Sequence, residues 1–441
     1  MRALVCREWG DPTKSRAEGG VLGVEDVPAP SRVPPRGIRV RVICASLNFA
    51  DCLLVRDRYQ EKPALPFTPG GEFCGTVLEL GAEIRTSGAF RVGQTVAGAV
   101  IGGGAMAEEL VVPDASAAFV VPAGISPAVA SSFPIAYGTA YMALAQRARI
   151  GPGTKVLILG AGGGVGLAAV QIAKALGARV VAVARGGDKI RACLDAGADA
   201  CLDSDALHAS SSSTDKSETT QSGKTGKTAP FRTREETFEL LPSATRRAFG
   251  GALADVLFDP VGGAAFSRGL SSLRWGGQAL VIGFASGVIP NLPLNVALVK
   301  NVTVHGVYWG AHAAKDPNAM ARCGSEVAGL LKRRKLAPKV DVSAMAPLES
   351  AHVLFRALEE RRVVGKAVVV VSGQRRRRGR SLGGSRVGCD DRFLSFHSSR
   401  VQPSLVKNRP TRRRVFGKKS FVQCGPPDFS TRLQQTELHT T

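Results

Sequence analysis

The segment Lys155-Val-Leu-Ile-Leu-Gly-Ala-Gly-Gly-Gly-Val-Gly166 sets an apolar strand-like run against a glycine-rich turn, and the helix-compatible stretch Leu167 to Leu176 follows it. Backbone N–H groups at such a turn, together with the dipole of the helix behind it, can meet a pyrophosphate, and side chains there would block the approach. The pattern departs from Gly-x-Gly-x-x-Gly only in that Ala161 takes the first place ahead of Gly163 and Gly166. A dinucleotide site is expected, with Gly163, Gly164, Val165 and Gly166 in contact with the phosphates. The next strand-like run ends in Ala184-Arg185, and the turn beyond it holds Gly186, Gly187, Asp188 and Lys189. An acid at this place favours a free ribose 2′-hydroxyl, whereas a cation favours a 2′-phosphate. Arg185 and Lys189 outweigh Asp188, so the expected cofactor is NADPH. Solvated surface cations flanking a strand are the bland alternative.

These groups need elements to carry them. Residues 1 to 124 are rich in short β-type runs such as Ile38 to Ile43 and Gly75 to Leu80, punctuated by Gly and Pro. From Ile125 to residue 334 the texture becomes apolar strand, turn and Ala-rich helix, repeated, as in βαβ units around a buried parallel sheet. Candidate strands there are Lys155 to Leu159, Arg179 to Ala184, Asp255 to Asp259, Gln278 to Gly283 and Val302 to Val307. The fold class is therefore α/β, a doubly wound parallel sheet beside a β-rich domain that residues 335–373, with a last strand in Val363 to Val371, complete. With 441 residues and 44% hydrophobic composition the chain can fill two cores. Between Ala206 and Arg234 it is Ser/Thr/Lys-rich with almost no large apolar residues, which predicts a disordered insertion.

Charge and cysteine usage narrow the classes. Of the net charge of +22, the stretch from Arg375 to the end contributes +12, with sixteen Lys/Arg against four Asp/Glu. Residues 374–441 therefore read as a basic disordered tail, able to attract polyanions nonspecifically rather than to form a recognition module. The nine cysteines include no Cys-x-x-Cys pair, so neither a disulfide framework nor a zinc ribbon is indicated. No run of eighteen apolar residues suggests a membrane span, and the residues after Met1 lack a signal-type apolar core. A cytoplasmic address is expected.

Ser46-Leu-Asn-Phe-Ala-Asp51, Tyr59, Pro69-Gly-Gly-Glu-Phe-Cys-Gly75 and Pro134-Ile-Ala-Tyr-Gly-Thr-Ala140 form a further set of motifs. Phe258-Asp-Pro-Val-Gly-Gly263, Val281-Ile-Gly-Phe-Ala-Ser-Gly287, Tyr308-Trp-Gly310 and Gly365-Lys366 extend it. Together with the glycine turn they make residues 1 to 373 resemble the zinc-free quinone oxidoreductase (zeta-crystallin-like) branch of the medium-chain dehydrogenase/reductase family. The resemblance implies a GroES-like catalytic domain and a Rossmann domain with the active site between them. It also implies a homodimer paired through the edge strand Val302 to Val307.

The resemblance places Asn48 and Gly70-Gly71-Glu72 where zinc-dependent relatives carry a Cys and then Gly-His-Glu. Residues Gly98 to Ala107, where those relatives hold four cysteines, contain none. No metal is therefore expected, and Cys44, Cys52 and Cys74 read as small core residues. Without a Lewis acid the acceptor must spread the incoming negative charge over its own conjugated oxygen, as a quinone or an enone does. The resemblance implies Asn48 as an amide donor to that oxygen and Tyr59 as a phenolic donor or ring wall. Asp51 either orients its neighbours or simply caps the helix that follows. Thr139, Gly283, Phe284 and Ala285 are carried over as the nicotinamide-side wall, with Lys366 from the final loop. Leu53 stands where many relatives have a second tyrosine, and Ser204 where some have a tyrosine against the adenosine phosphate.

Three functions compete at this point. The first is NADPH-dependent quinone reduction; the second is enoyl or enone reduction, since Leu47-Asn-Phe-x-Asp also resembles zinc-free reductase domains acting on thioesters. A nucleic-acid-binding or structural protein on the same scaffold is the third, and the intact glycine turn speaks against the structural variant.

Overall fold

The computed structural model describes residues 1–205 and 241–372. The Ser/Thr-rich insertion and the basic tail lie outside them. Six parallel strands form one sheet, in the order Ala200–Asp203, Arg179–Ala184, Lys155–Ile158, Ala254–Asp259, Leu273–Val281 and Thr303–Gly306. Numbered along the chain this is 3-2-1-4-5-6, the doubly wound order that opens a crevice where the direction of winding reverses. The reversal falls between Lys155–Ile158 and Ala254–Asp259, so the glycine turn after the former faces the Asp259-Pro-Val-Gly262 turn after the latter. Near-continuous burial of Val156, Leu157, Ile158, Val180, Val181 and Ala182 reflects helices packed on both faces of this sheet.

A second sheet runs Val340–Pro347, Lys366–Val370, Ile38–Leu47, Glu72–Leu80, Thr95–Ala99 and Ala118–Val120. Its long central strand pairs with Glu72–Leu80 on one side. On the other side it pairs with Glu109–Val112 over its first half and with Lys366–Val370 over its second. The C-terminal strand is thus built into the N-terminal half of the chain, and it places Lys366 beside the end of the strand that leads into Asn48.

Two of the candidate strands differ from expectation by more than one residue at an end. Leu273–Val281 begins five residues before Gln278 and stops two before Gly283, because Gly276, at φ 70°, lets the chain stay in the sheet through a register shift rather than turn away. The last strand starts at Lys366 rather than Val363, since Val364 is held by Asp341 (2.9 Å) and Gly365 takes φ 84°. Among the described residues no helix is long and apolar enough to cross a membrane.

Candidate active site

The strand Ile38–Leu47 delivers Asn48 to the start of the helix Phe49–Val55. There the Asp51 carboxylate turns back to accept the Asn48 backbone N–H at 2.7 Å, and the Gly70 N–H at 3.3 Å. Asp51 is therefore the reciprocal cap of its own helix, the plainer of its two expected roles, and it fixes the Asn48 and Gly70 backbones against each other. Burial pushes its carboxyl up to about 6, against the opposing pull of the Asn48 N–H and of the Lys366 ammonium.

The Asn48 side chain meets two charged partners. Its Oδ1 accepts from Lys366 Nζ at 2.5 Å, and its Nδ2 donates to Glu72 Oε1 at 2.9 Å. An ammonium can only donate and a carboxylate only accept, so the orientation of the amide is determined by chemistry. One Nδ2 proton remains for a substrate oxygen. Lys366 Nζ also donates to Glu72 Oε1 at 2.6 Å and to the Leu47 carbonyl at 3.0 Å, while Glu72 Oε2 accepts the Ile135 N–H at 2.9 Å. That last bond comes from the first turn of the helix Pro134–Tyr141, which also carries the buried Thr139. Lys366 and Glu72 are both almost fully buried, and every oxygen and nitrogen of the pair is satisfied by this arrangement.

The glycine turn lies on the other side of Lys366. A Cβ on Gly164 would stand 2.4 Å from Lys366 Cδ, so the lysine stem lies over the turn while its ammonium reaches the catalytic side. Gly365 N–H donates to the Gly162 carbonyl at 3.0 Å and pins the two segments together. Gly166 admits no side chain, since a Cβ there would meet Gly160 O at 2.5 Å and Ala161 Cα at 2.6 Å. Gly163 caps the helix Gly164–Ala175 in extended conformation, and a Cβ added to it would find only Gly160 O within contact range, at 3.6 Å. The space beside Gly163 at this helix N-terminus, next to Val165, fits a pyrophosphate. Gly283, Phe284 and Ala285 follow the neighbouring strand and fold over the Asp259–Gly263 turn, with Ala285 N–H on Pro260 O at 3.1 Å. Gly262 is tightly packed by Phe284, whose Cδ1 would lie 2.8 Å from a Cβ there.

Arg185 is exposed at the end of its strand, and Lys189 lies beside it with its stem across Gly162. Burial and the two neighbouring guanidinium groups of Arg185 and Arg361 hold the Lys189 ammonium below its ordinary range. Lys189 is not simply a solvated cation, because its Nζ donates to the Arg361 carbonyl at 2.6 Å. Arg361 takes φ 59°, a left-handed conformation uncommon for a side-chain-bearing residue, and its Nη2 reaches the Ala285 carbonyl at 3.3 Å. Three cations thus gather at the place where a 2′-phosphate is expected.

Tyr59 is half-buried in the apolar cluster of the catalytic half. Burial raises the ionisation of its hydroxyl, and the nearby Tyr308 donates to Glu61 Oε1 at 2.6 Å. Glu72, Glu61, Tyr308 and Arg361 carried no role in the sequence reading. Glu72 pairs with a residue 294 positions away and Tyr308 with one 247 away, so no local pattern exposes either contact.

The donor set does not fit a catalytic zinc. Asn48 presents an amide, Gly71 presents nothing, and Glu72 is already matched to an ammonium. Cys44 and Cys74 are buried thiols pushed up to about 11 and about 12 by burial. Among the described residues no three His, Cys, Asp or Glu side chains are grouped to hold a metal.

Comparison with known proteins agrees with this architecture. Residues 34–123 match the pattern of the alcohol dehydrogenase GroES-like domain, and residues 164–324 that of the zinc-binding dehydrogenases. A quinone oxidoreductase-like protein 2 homolog from Nematostella vectensis is 33% identical over 369 residues, covering 83% of this chain and 88% of its own. The Escherichia coli quinone oxidoreductase complexed with NADPH superposes with a TM-score of 0.68 at 22% identity, over 84% of this chain and all of that one. A mycobacterial protein complexed with NADPH gives the same TM-score of 0.68 at 26% identity, over 84% of this chain and 100% of its own. With two sheets in the family order, a glycine cradle between them and a relative of this similarity along most of its length, the chain belongs to the quinone oxidoreductase-like branch of the medium-chain dehydrogenase/reductase family.

Proposed function

We propose that this oxidoreductase uses NADPH to reduce quinones or related conjugated carbonyls, without zinc. The observation that carries the reading is the Asn48 amide clamped between the Lys366 ammonium and the Glu72 carboxylate, next to the glycine turn. When bound, NADPH supplies a hydride. Gly163, Gly164, Val165 and Gly166 would hold its pyrophosphate, and Arg185, Lys189 and Arg361 its 2′-phosphate. Thr139, Gly283, Phe284 and Ala285 would wall the nicotinamide. Asn48 keeps one amide proton for the acceptor oxygen, and polarisation by Lys366 strengthens that donor as negative charge develops. Such a donor suffices for a quinone or an enone, whose conjugation already spreads the charge, and not for a simple ketone. Lys366 serves the catalytic amide, and Asp51 serves the backbone that presents it.

The rest of the assignment follows from surfaces. The edge strand Thr303–Gly306 has no partner on its outer side among the described residues. Leu294, Leu298 and Val299 of the preceding helix are 75%, 81% and 74% exposed. A second copy pairing there as a homodimer would cover both edge and patch. The basic tail would add nonspecific polyanion contact, and the protein would work in the cytoplasm. Enone or enoyl reduction is the alternative use of the same site. One assay tests the reading: NADPH against NADH oxidation with benzoquinones, naphthoquinones and enones, plus metal analysis of the same sample. Activity that requires stoichiometric zinc, or no oxidation of NADPH with any acceptor, would end it.

A further inference from the structure

The glycine turn lies at the C-terminal end of the strand Lys155–Ile158, and the opposite end of the same sheet carries a second concavity. There the starts of Lys155–Ile158, Ala254–Asp259 and Leu273–Val281 border a cavity of about 340 Å³, large enough for a small molecule. Its wall is polar. Arg149, Thr154, Asp255, Arg274 and Gln278 line it, over a floor that includes the buried Val256.

An irregularity of the sheet builds this wall. Ala254 pairs with Leu273 and Val256 with Gln278, so one residue, Asp255, stands opposite four, Arg274 to Gly277. Gly276 takes φ 70°, and Gly277 is closely packed, since a Cβ there would lie 3.1 Å from Arg274 O and 3.2 Å from Asp255 O. Bulges re-aim side chains, and the one re-aimed here is Arg274. Its Nε donates to Asp255 Oδ1 at 2.5 Å and its Nη1 to the Trp275 carbonyl at 2.7 Å, which leaves Nη2 without a partner among the described residues. The other oxygen of Asp255 accepts the Lys155 N–H at 2.7 Å and lies 3.8 Å from the Lys155 ammonium. One carboxylate thus faces Arg274, Lys155 and Arg149, and two positive charges are left over.

Arg149 has no hydrogen-bond or ionic partner among the described residues. It follows the C-cap Ala148 of the helical segment Met142–Arg147 at φ 52°, a place where glycine is the favoured residue. Gln278 Nε2 donates to the Ala148 carbonyl at 3.2 Å and so ties the segment carrying Arg149 to the sheet. Thr154 Oγ1 accepts the Gly151 N–H at 3.1 Å and keeps its hydroxyl proton to donate.

We propose that this cavity binds a small polar dianion of the phosphate-monoester class, held by Arg149 and Arg274 with Thr154 as a third donor. Guanidinium groups meet such oxygens with paired N–H donors, and two of them match the double charge. A phosphate ester presents three acceptor oxygens and both charges at one centre, which suits three donors around one small cavity. A dicarboxylate spreads its charges apart. Occupation of the site is independent of the reaction proposed above, because the glycine turn lies at the other end of the strand Lys155–Ile158.

The test is isothermal titration calorimetry of the full chain with glycerol 2-phosphate, with and without NADPH. Binding should be the same in both conditions. Arg149→Gly should weaken it by about tenfold or more, the loss of a charge-assisted contact, while the thermal midpoint holds or rises, since glycine suits that backbone. Arg274→Gln should weaken it by a similar factor. Acetate should give no heat, and malonate should bind less tightly than the ester. No heat from glycerol 2-phosphate in the parent overturns the site, as does competition by NADPH, which would put the ester in the cofactor cleft. Diffuse attraction to the basic stretch from Arg375 onward would survive both substitutions, so unchanged affinity in Arg149→Gly overturns it too. Tighter binding of malonate or of acetate overturns the class of ligand. Arginine-dependent binding in a protein that oxidises no NADPH would leave this site standing and end the oxidoreductase reading alone.

Discussion

Lys366 Nζ stands 2.5 Å from Asn48 Oδ1, although 318 residues separate them, and the same ammonium lies 2.6 Å from Glu72. A side-chain cation thus organises the polar end of the site. Its removal should reveal how tightly the three are coupled. Lys366→Met leaves the buried Glu72 carboxylate unmatched, which costs about 3–5 kcal/mol when one partner of a buried pair is lost. Lys366→Met with Glu72→Gln removes both charges and should recover more than half of that loss in urea unfolding. Simple additivity of the two single variants would show that the pair is not coupled.

The glycine turn offers a contrast between folding and binding. Gly166→Ala must displace backbone at Gly160 and Ala161, so it should lower the thermal midpoint by several degrees. Gly163→Ala meets only Gly160 O at 3.6 Å and should leave the midpoint of the free protein nearly unchanged. It puts a methyl group where the phosphates approach, and NADPH affinity should fall at least about tenfold, or ~1.4 kcal/mol. Calorimetric titration beside a melting curve reads both. Equal NADPH affinity in Gly163→Ala and the parent would place the phosphates elsewhere.

Arg185→Glu should shift preference from NADPH toward NADH. A charge-assisted hydrogen bond to phosphate contributes about 1.5–3 kcal/mol, so the ratio of the two kcat/KM values should move by about ten- to a hundredfold. Arg361→Ala should move it in the same direction, because that guanidinium neighbours Lys189 across the cleft. If neither substitution changes the ratio, the three cations do not hold a 2′-phosphate.

The legible part of this molecule is the part encoded in neighbouring residues. Arg179–Ala184 matches its expected strand end to end, and the helix after the glycine turn begins at Gly164, because strand, turn and helix follow one another within thirty residues. Gly276 and Gly277 hid the first half of Leu273–Val281 by looking like a turn, although the chain bulges through them within the sheet. Site chemistry was legible as residue types but not as partnerships. Asn48 was expected to be a donor, yet its orientation comes from Lys366 and Glu72, which only the pairing of the C-terminal strand with Ile38–Leu47 brings near. Lys366 read as a candidate for the nicotinamide-side wall from the final loop, and nothing local shows that its ammonium meets the Leu47 carbonyl and Glu72. Arg361 and Tyr308 lie in connecting segments with no periodicity, where nothing local marks a residue that crosses the cleft.

Asp51 links the site to stability in a pH-dependent way. Its carboxyl is pushed up to about 6 in the folded protein, against about 3.9 for an unperturbed Asp. Below pH ~4 both states are protonated and the group has no effect on the balance. Between pH ~4 and ~6 the unfolded chain has released its proton while the native state still holds one, so stability falls as pH rises. Above the folded value the loss is complete at about 3 kcal/mol, two units at about 1.4 kcal/mol each. Asp259, also raised to about 6 by burial, adds a second contribution of the same sign. Other carboxylates, held low by arginine partners, act in the opposite sense, so the difference between proteins is the useful quantity. Asp51→Asn keeps an acceptor for the Asn48 N–H and removes the titration. Relative to the parent, its urea midpoint should therefore gain between pH 4.5 and 7.5, with the Asp259 part of the slope retained. Parallel midpoint curves for the two proteins would show that Asp51 is ionised throughout, and that the amide it supports stands beside a full negative charge.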